Sequence, residues 1–144
     1  MKKYFTLACI ALVITGSSFA STDTYAAHKS AAHLEANFAS ANDATWTYTD
    51  TYEKASINNG KEKLNVYYDV NGDLIGTTKT MDFDKLPKAA LALLTSEYTF
   101  PDYQLTDCIQ FTDADNNTRY FVSFDADGQT TLLSISTDGT ISEN

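Results

Sequence analysis

The chain has 144 residues, 43% of them hydrophobic and 12% aromatic, with 10 Lys and Arg against 19 Asp and Glu. That length suits one domain with a core of its own, and the aromatic content is too high for a disordered tail. A net charge of −9 excludes nucleic acid, whose phosphates call for Lys and Arg, and argues equally against an anionic membrane surface.

Residues 1–20 read as a secretory signal peptide. Lys2 and Lys3 give a positive start, Leu7 to Ile14 an unbroken apolar run, and Ser18 and Ala20 a small-residue cleavage pattern. Cleavage after Ala26 is the alternative. The apolar run is too short for a membrane span, and no later stretch approaches one. Processing removes Lys2 and Lys3 but no acid, so the mature chain is more acidic still. It also removes Cys9, leaving Cys108 as the single cysteine and ruling out an internal disulfide. The expected location is the periplasm or the extracellular space.

Residues 21–33 are polar and Ala-rich and read as a flexible lead-in. Leu34, Phe38 and Ala41 then fall on one helical face, ended by Asn42-Asp43. Trp46, Tyr48 and Tyr52 alternate with threonines as one strand over 45–52, and 53–63 reads as a polar connection with a turn at Asn58-Asn59-Gly60. Leu64, Val66, Tyr68 and Val70 form the next strand. Asn71-Gly72 has hairpin chemistry, and Asp73 to Thr80 is the returning strand. Pro87 suits the start of a second helix, with Leu91, Leu94 and Tyr98 as its buried stripe and Pro101 as its close. Tyr103 to Phe111, Tyr120 to Phe124, Leu132 to Ser136 and a short strand near Ile141 follow, separated by turns at Asp113–Asn117, Asp127-Gly128 and Asp138-Gly139.

Residues 64–72 lie over 120–128 without a gap at an offset of 56, with Leu34 and Phe38 over Ala90 and Leu94. The expected fold is therefore α+β: a tandem duplication of a helix plus three-stranded antiparallel unit, both helices packed on one sheet face. The domain would span 34–144, with repeats at about 34–81 and 86–144.

The run Ala44-Thr45-Trp46, then Val66 to Thr77 (VYYDVNGDLIGT), then Leu86-Pro87 opening a helix, then Tyr103 resembles the PepSY-like, beta-lactamase-inhibitor-like family of secreted bacterial proteins. The resemblance implies an exported α+β domain and no catalytic residues. Relatives of the fold inhibit enzymes by presenting a concave sheet surface, and the resemblance does not extend inhibition to this chain.

The residues offer little chemistry to set beside this. His28 and His33 stand five apart, not the i, i+4 that puts two ligands on one helix face, so no metal is expected. The runs 69–73 and 113–117 resemble fragments of a calcium loop but lack its position-twelve acid, and Asp and Asn are also what hairpin turns use for their own backbone. No nucleophile elbow and no phosphate loop is present, so neither an enzyme nor a cofactor is expected. Alternation places Tyr67 and Phe121 on the face opposite their strands' inward residues. This makes them the candidate partner-binding residues, for a protein, a peptide or an envelope component. The same alternation puts Cys108 on the polar face, against a sheltered thiol, unless a bulge intervenes. The functional expectation is a secreted non-catalytic binding module that engages its partner through a sheet face, with an inhibitor-like mode as one form of it. The alternative is a structural or accessory envelope protein without a discrete ligand, and an enzyme ranks third.

Overall fold

The computed structural model describes residues 29–39, 41–58 and 62–143. The signal peptide, Cys9, the lead-in as far as His28, and Asn59 and Gly60 of the expected turn lie outside these residues. Among the described residues the order is helix α1 (Lys29–Asn37), strands β1 (Thr45–Tyr48), β2 (Tyr52–Asn58), β3 (Lys63–Asp69) and β4 (Leu74–Thr80), helix α2 (Lys88–Glu97), then β5 (Gln104–Asp113), β6 (Thr118–Ala126), β7 (Gln129–Ser136) and β8 (Ile141–Glu143). Single 3-10 turns at Ala41–Asp43 and Phe83–Lys85 precede β1 and α2. The strand order is that of the sequence, β1 to β8.

This corrects the expected α+β class built from tandem helix-plus-three-strand units: the fold is sheet-dominated, with two short helices. Strands dominate, and four of them follow each helix. The missed strand is β2. Asp50 and Thr51 turn the chain after β1, and the Thr49 hydroxyl accepts the Tyr52 N–H at 3.0 Å. β2 then returns antiparallel to β1, with Trp46 opposite Ala55 and Tyr48 opposite Glu53. The chain divides into two compact units at Thr77/Thr78, inside β4.

In the first unit α1 begins at Lys29, within the stretch read as a lead-in, and ends at Asn37 rather than Asn42. Leu34 is its buried anchor, packed on Ala55 and Ile57 of β2 and Val66 and Tyr68 of β3. Trp46 stacks on both Tyr48 and Tyr68, so alternate residues of β1 close this core from the side.

In the second unit Pro87 stands at the N-cap of α2, and Tyr98 at its C-cap donates to the Leu94 carbonyl. Leu86, Ala90 and Leu94 meet Cys108, Val122, Phe124, Leu133 and Ile135. A bulge between Leu105 and Asp107 shifts the β5–β6 register. It turns Cys108 onto the helix side, 6% exposed, and settles the conflict between alternation and a sheltered thiol. Leu34 of α1 and Leu94 of α2 are each buried within their own unit, at 1% and 0% exposure. Gly72 abuts α1 and Gly139 abuts α2.

Candidate functional site

Tyr67 and Phe121 are 1% and 2% exposed, which corrects their expected place on an open face. Four consecutive residues are buried in β3 (Asn65 to Tyr68) and four in β6 (Phe121 to Phe124), so alternation has no solvent side here. Tyr67 packs with Tyr52 and Ile75. Phe121 pairs across the ladder with Ile109, itself 4% exposed.

The turn acids serve their own loops. Asp69 Oδ1 accepts the N–H groups of Asn71 at 2.8 Å and Asp73 at 2.9 Å. Asp113 Oδ1 does the same for Asp115 at 2.9 Å and Asn117 at 2.8 Å. Among the described residues no group of three or more His, Cys, Asp or Glu could hold a metal ion. His33 Nδ1 lies 3.0 Å from the Tyr68 hydroxyl, and its ring meets the Tyr68 ring edge-on.

Four large apolar residues are exposed among the described ones, Val70 in the first unit and Leu93, Phe100 and Leu105 in the second, and Phe100 is the most exposed. After α2 the chain passes through Thr99–Asp102 into β5, and Phe100 on this connection is 81% exposed. The connection is braced from within. Tyr98 stacks on Phe124 with centroids 4.8 Å apart, Tyr103 meets Tyr98 edge-on at 5.0 Å, and the Tyr103 N–H donates to the Thr99 carbonyl at 3.0 Å. Phe100 is thus a free ring on a fixed mount, which lowers the entropy lost on docking. Leu105, at the start of β5, is 43% exposed.

The residues that follow Phe100 border an open cleft of about 540 Å³, walled by Pro101 to Gln104 on one side and Asp125 to Gly128 on the other. The two walls are joined by the Gln104–Asp125 pair of the β5–β6 ladder. Asp127 and Gly128 both take positive φ, 52° and 77°, as a two-residue hairpin loop requires. Asp102, Asp125 and Asp127 line this cleft, and no cation does. After Lys88 the chain carries one basic residue, Arg119, against nine Asp and Glu. Burial raises the Tyr98 phenol pKa, and the charges of Glu143 and Glu97 add to the rise. Sequence reasoning missed this site because Phe100 sits between Thr99 and Pro101, outside any periodic element. Its isolation beside a proline was the available signal.

No family model matches the chain, and no curated protein does. Solved structures do. A DUF2874 family protein from Bacteroides uniformis superposes with a TM-score of 0.69 at 14% identity, over 81% of this chain and 86% of that one. A protein from Bacteroides eggerthii, provisionally assigned to the periplasm, gives 0.71 at 11% identity over 83% and 88%. A BLIP-like protein from Bacteroides fragilis gives 0.62 at 19% identity over 90% and 89%. Of the two names in the expected resemblance, the inhibitor-like one recurs among these structures. At these identities the likeness is one of fold, and the chain has a BLIP-like fold.

Proposed function

We propose that this chain is an exported, non-catalytic protein-binding module of the inhibitor-like kind, which docks its partner on the Phe100 end of the second unit. Residues 1–20, or 1–26 if the later site is used, are removed on the way to the periplasm or beyond. The observation that carries the docking surface is Phe100 itself. A ring 81% exposed on a connection held by stacked tyrosines is what a protein interface uses as an anchor. The provisional periplasmic assignment of one structural neighbour and the BLIP-like description of another support the location and the mode.

The test is cross-linking capture from bacterial envelope extract by the mature protein, with Phe100→Ala as the probe and Leu93→Ala, another exposed apolar residue, as the control. Loss of about thirtyfold in affinity for Phe100→Ala alone, the scale of a hot-spot residue, supports the reading. Capture that ignores Phe100→Ala removes this surface. Inhibition is read separately, from β-lactamase turnover with the mature protein in excess.

A further inference from the structure

We infer that the Phe100 surface takes a basic protein partner, whose apolar side chains enclose the ring while its Lys and Arg side chains meet Asp102, Asp125 and Asp127. The inference rests on the docking surface proposed above and names the chemistry of its occupant. A main-chain bond sets the geometry. The Tyr103 N–H donates to the Thr99 carbonyl, so Phe100, Pro101 and Asp102 form the body of one tight turn. Asp102 follows Phe100 by two residues, so their Cα atoms are at most about 7 Å apart. That is within one Debye length, about 8 Å at physiological salt, and a partner closing over the ring feels the Asp102 charge. Asp125 and Asp127 stand on the opposite wall of the cleft that Pro101 and Asp102 border.

The negative potential at this end has further sources. α2 ends here, and a helix C-terminus carries about half a negative charge. Its last turn holds no basic residue. It ends instead on Glu97, an acid where a cation would stabilise the helix. The charges of Glu143 and Glu97 both act on the Tyr98 phenol, so both carboxylates lie toward this end. The basic residues of the unit are elsewhere. Lys88 is at the other end of α2, about 14 Å along the axis. Arg119 stands six residues before Asp125 on β6, about 20 Å along the strand, where its charge acts on Asp113. Lys79 and Lys85 precede α2, and none of these four lines the cleft.

Ring and carboxylates have separate roles. The ring supplies affinity by being enclosed. The carboxylates choose the partner, because opposite charge speeds and aligns the encounter and like charge repels. Arg suits such a partner best, since its flat guanidinium can stack on an aromatic ring and bond a carboxylate.

The test selects short displayed peptides on the mature wild-type protein, from a library in which Lys, Arg, Asp and Glu occur equally, after depletion on Phe100→Ala. Individual binders are then synthesised and titrated by fluorescence anisotropy. The expected binders combine aliphatic or aromatic residues with Lys or Arg and carry few acids. Asp102→Asn/Asp127→Asn removes two exposed charges and keeps the side-chain shape, and Asn accepts the positive φ at 127. It should weaken these binders about fivefold, the scale of two exposed ion pairs, and flatten the fall of affinity with added salt. Asp84→Asn/Asp115→Asn removes two exposed acids that do not line the cleft and should change neither. Binders rich in Asp or Glu, or equal weakening by the two double variants, overturn the basic partner and leave the Phe100 anchor in place. Failure to recover any binder that needs Phe100 overturns the docking surface and this inference with it.

Discussion

Gly139 sits so close to Ala89 that a Cβ on the glycine would lie 2.8 Å from the alanine Cβ. Its φ is +90°, where side chains are rarely found. In the first unit Gly72, with φ +74°, stands in the same relation to Lys29. An added Cβ there would be 3.0 Å from the Lys29 Cβ and 3.1 Å from the Ser30 nitrogen. Each unit thus lays a glycine turn against the first turn of its helix, and the missing side chain permits the approach.

Gly139→Ala and Gly72→Ala should therefore destabilise more than Gly128→Ala. Gly128 also has a positive φ, +77°, but nothing lies within 4 Å of its added Cβ. Gly128→Ala should cost only the backbone strain, about 1 kcal/mol, and the other two about 1 kcal/mol or more beyond that. Urea midpoints of the three variants give the ranking. A Gly128 variant as weak as the Gly139 variant would show that the close contact contributes nothing.

These glycines were legible because turn chemistry is local. Asn71-Gly72, Asp127-Gly128 and Asp138-Gly139 all stand at chain reversals, and Pro87 opens α2 as expected. Other features were hidden because their causes lie far along the chain. β2 carries Glu53 and Lys54 near its start and looks like a polar connection, yet Glu53 is taken inward by Ser30 of α1. The turn before it is made by a Thr49 side chain rather than by Gly or Asn. Alternation at Cys108 failed for want of the bulge, where the Thr106 hydroxyl bonds the Ser123 carbonyl at 3.1 Å. For Tyr67 and Phe121 the period was read correctly, but both faces of their strands are covered.

Stability should fall as pH drops below about 4, the ordinary range for a carboxyl. Burial pushes the Asp69 carboxyl up, but bonds from the Asp73 and Asn71 main chain, the Asn71 side chain and the charge of Lys29 outweigh it and hold the pKa low. At Asp113 burial is likewise outweighed, by the side chain and N–H of Asn117 and then the Asp115 N–H and Arg119. A carboxyl with a lowered folded pKa stabilises fully above its unfolded value, and that contribution is lost as pH falls through the folded value. Asp69→Asn and Asp113→Asn should flatten the acid limb of a urea-midpoint profile. A wild-type profile level from pH 6 to pH 2.5 would contradict this.

Cys108 should be chemically silent in the folded protein. Burial, then the charges of Asp107 and Asp82, push its pKa up to about 12, so at pH 8 the nucleophilic thiolate is scarce. A chromogenic disulfide reagent should label less than a tenth of the native protein in the time that labels all of it in denaturant. Rapid stoichiometric labelling of the native state would mean that the β5 bulge does not hold the thiol inward.

The last prediction concerns the bond that ties α1 to β2. Ser30 is fully buried, and its hydroxyl donates to Glu53 Oε2 at 2.5 Å, while Glu53 lies opposite Tyr68 in the β2–β3 register. Ser30→Ala removes a donor from a buried carboxylate and should cost about 1.5–3 kcal/mol, the range for a bond to a charged group. The same carboxylate acts on its neighbour. Burial first, and the charge of Glu53 second, raise the Tyr68 phenol to about 12. A phenol raised in this way favours the folded state below its unfolded pKa of about 10, and the contribution is lost as pH rises through the folded value. Glu53→Gln removes the smaller cause and leaves the larger, so ultraviolet titration should show Tyr68 ionising earlier than in the wild type but still above an ordinary tyrosine. If Glu53→Gln leaves the Tyr68 transition where it was, the charge of Glu53 is not felt at the phenol, and burial alone sets its acidity.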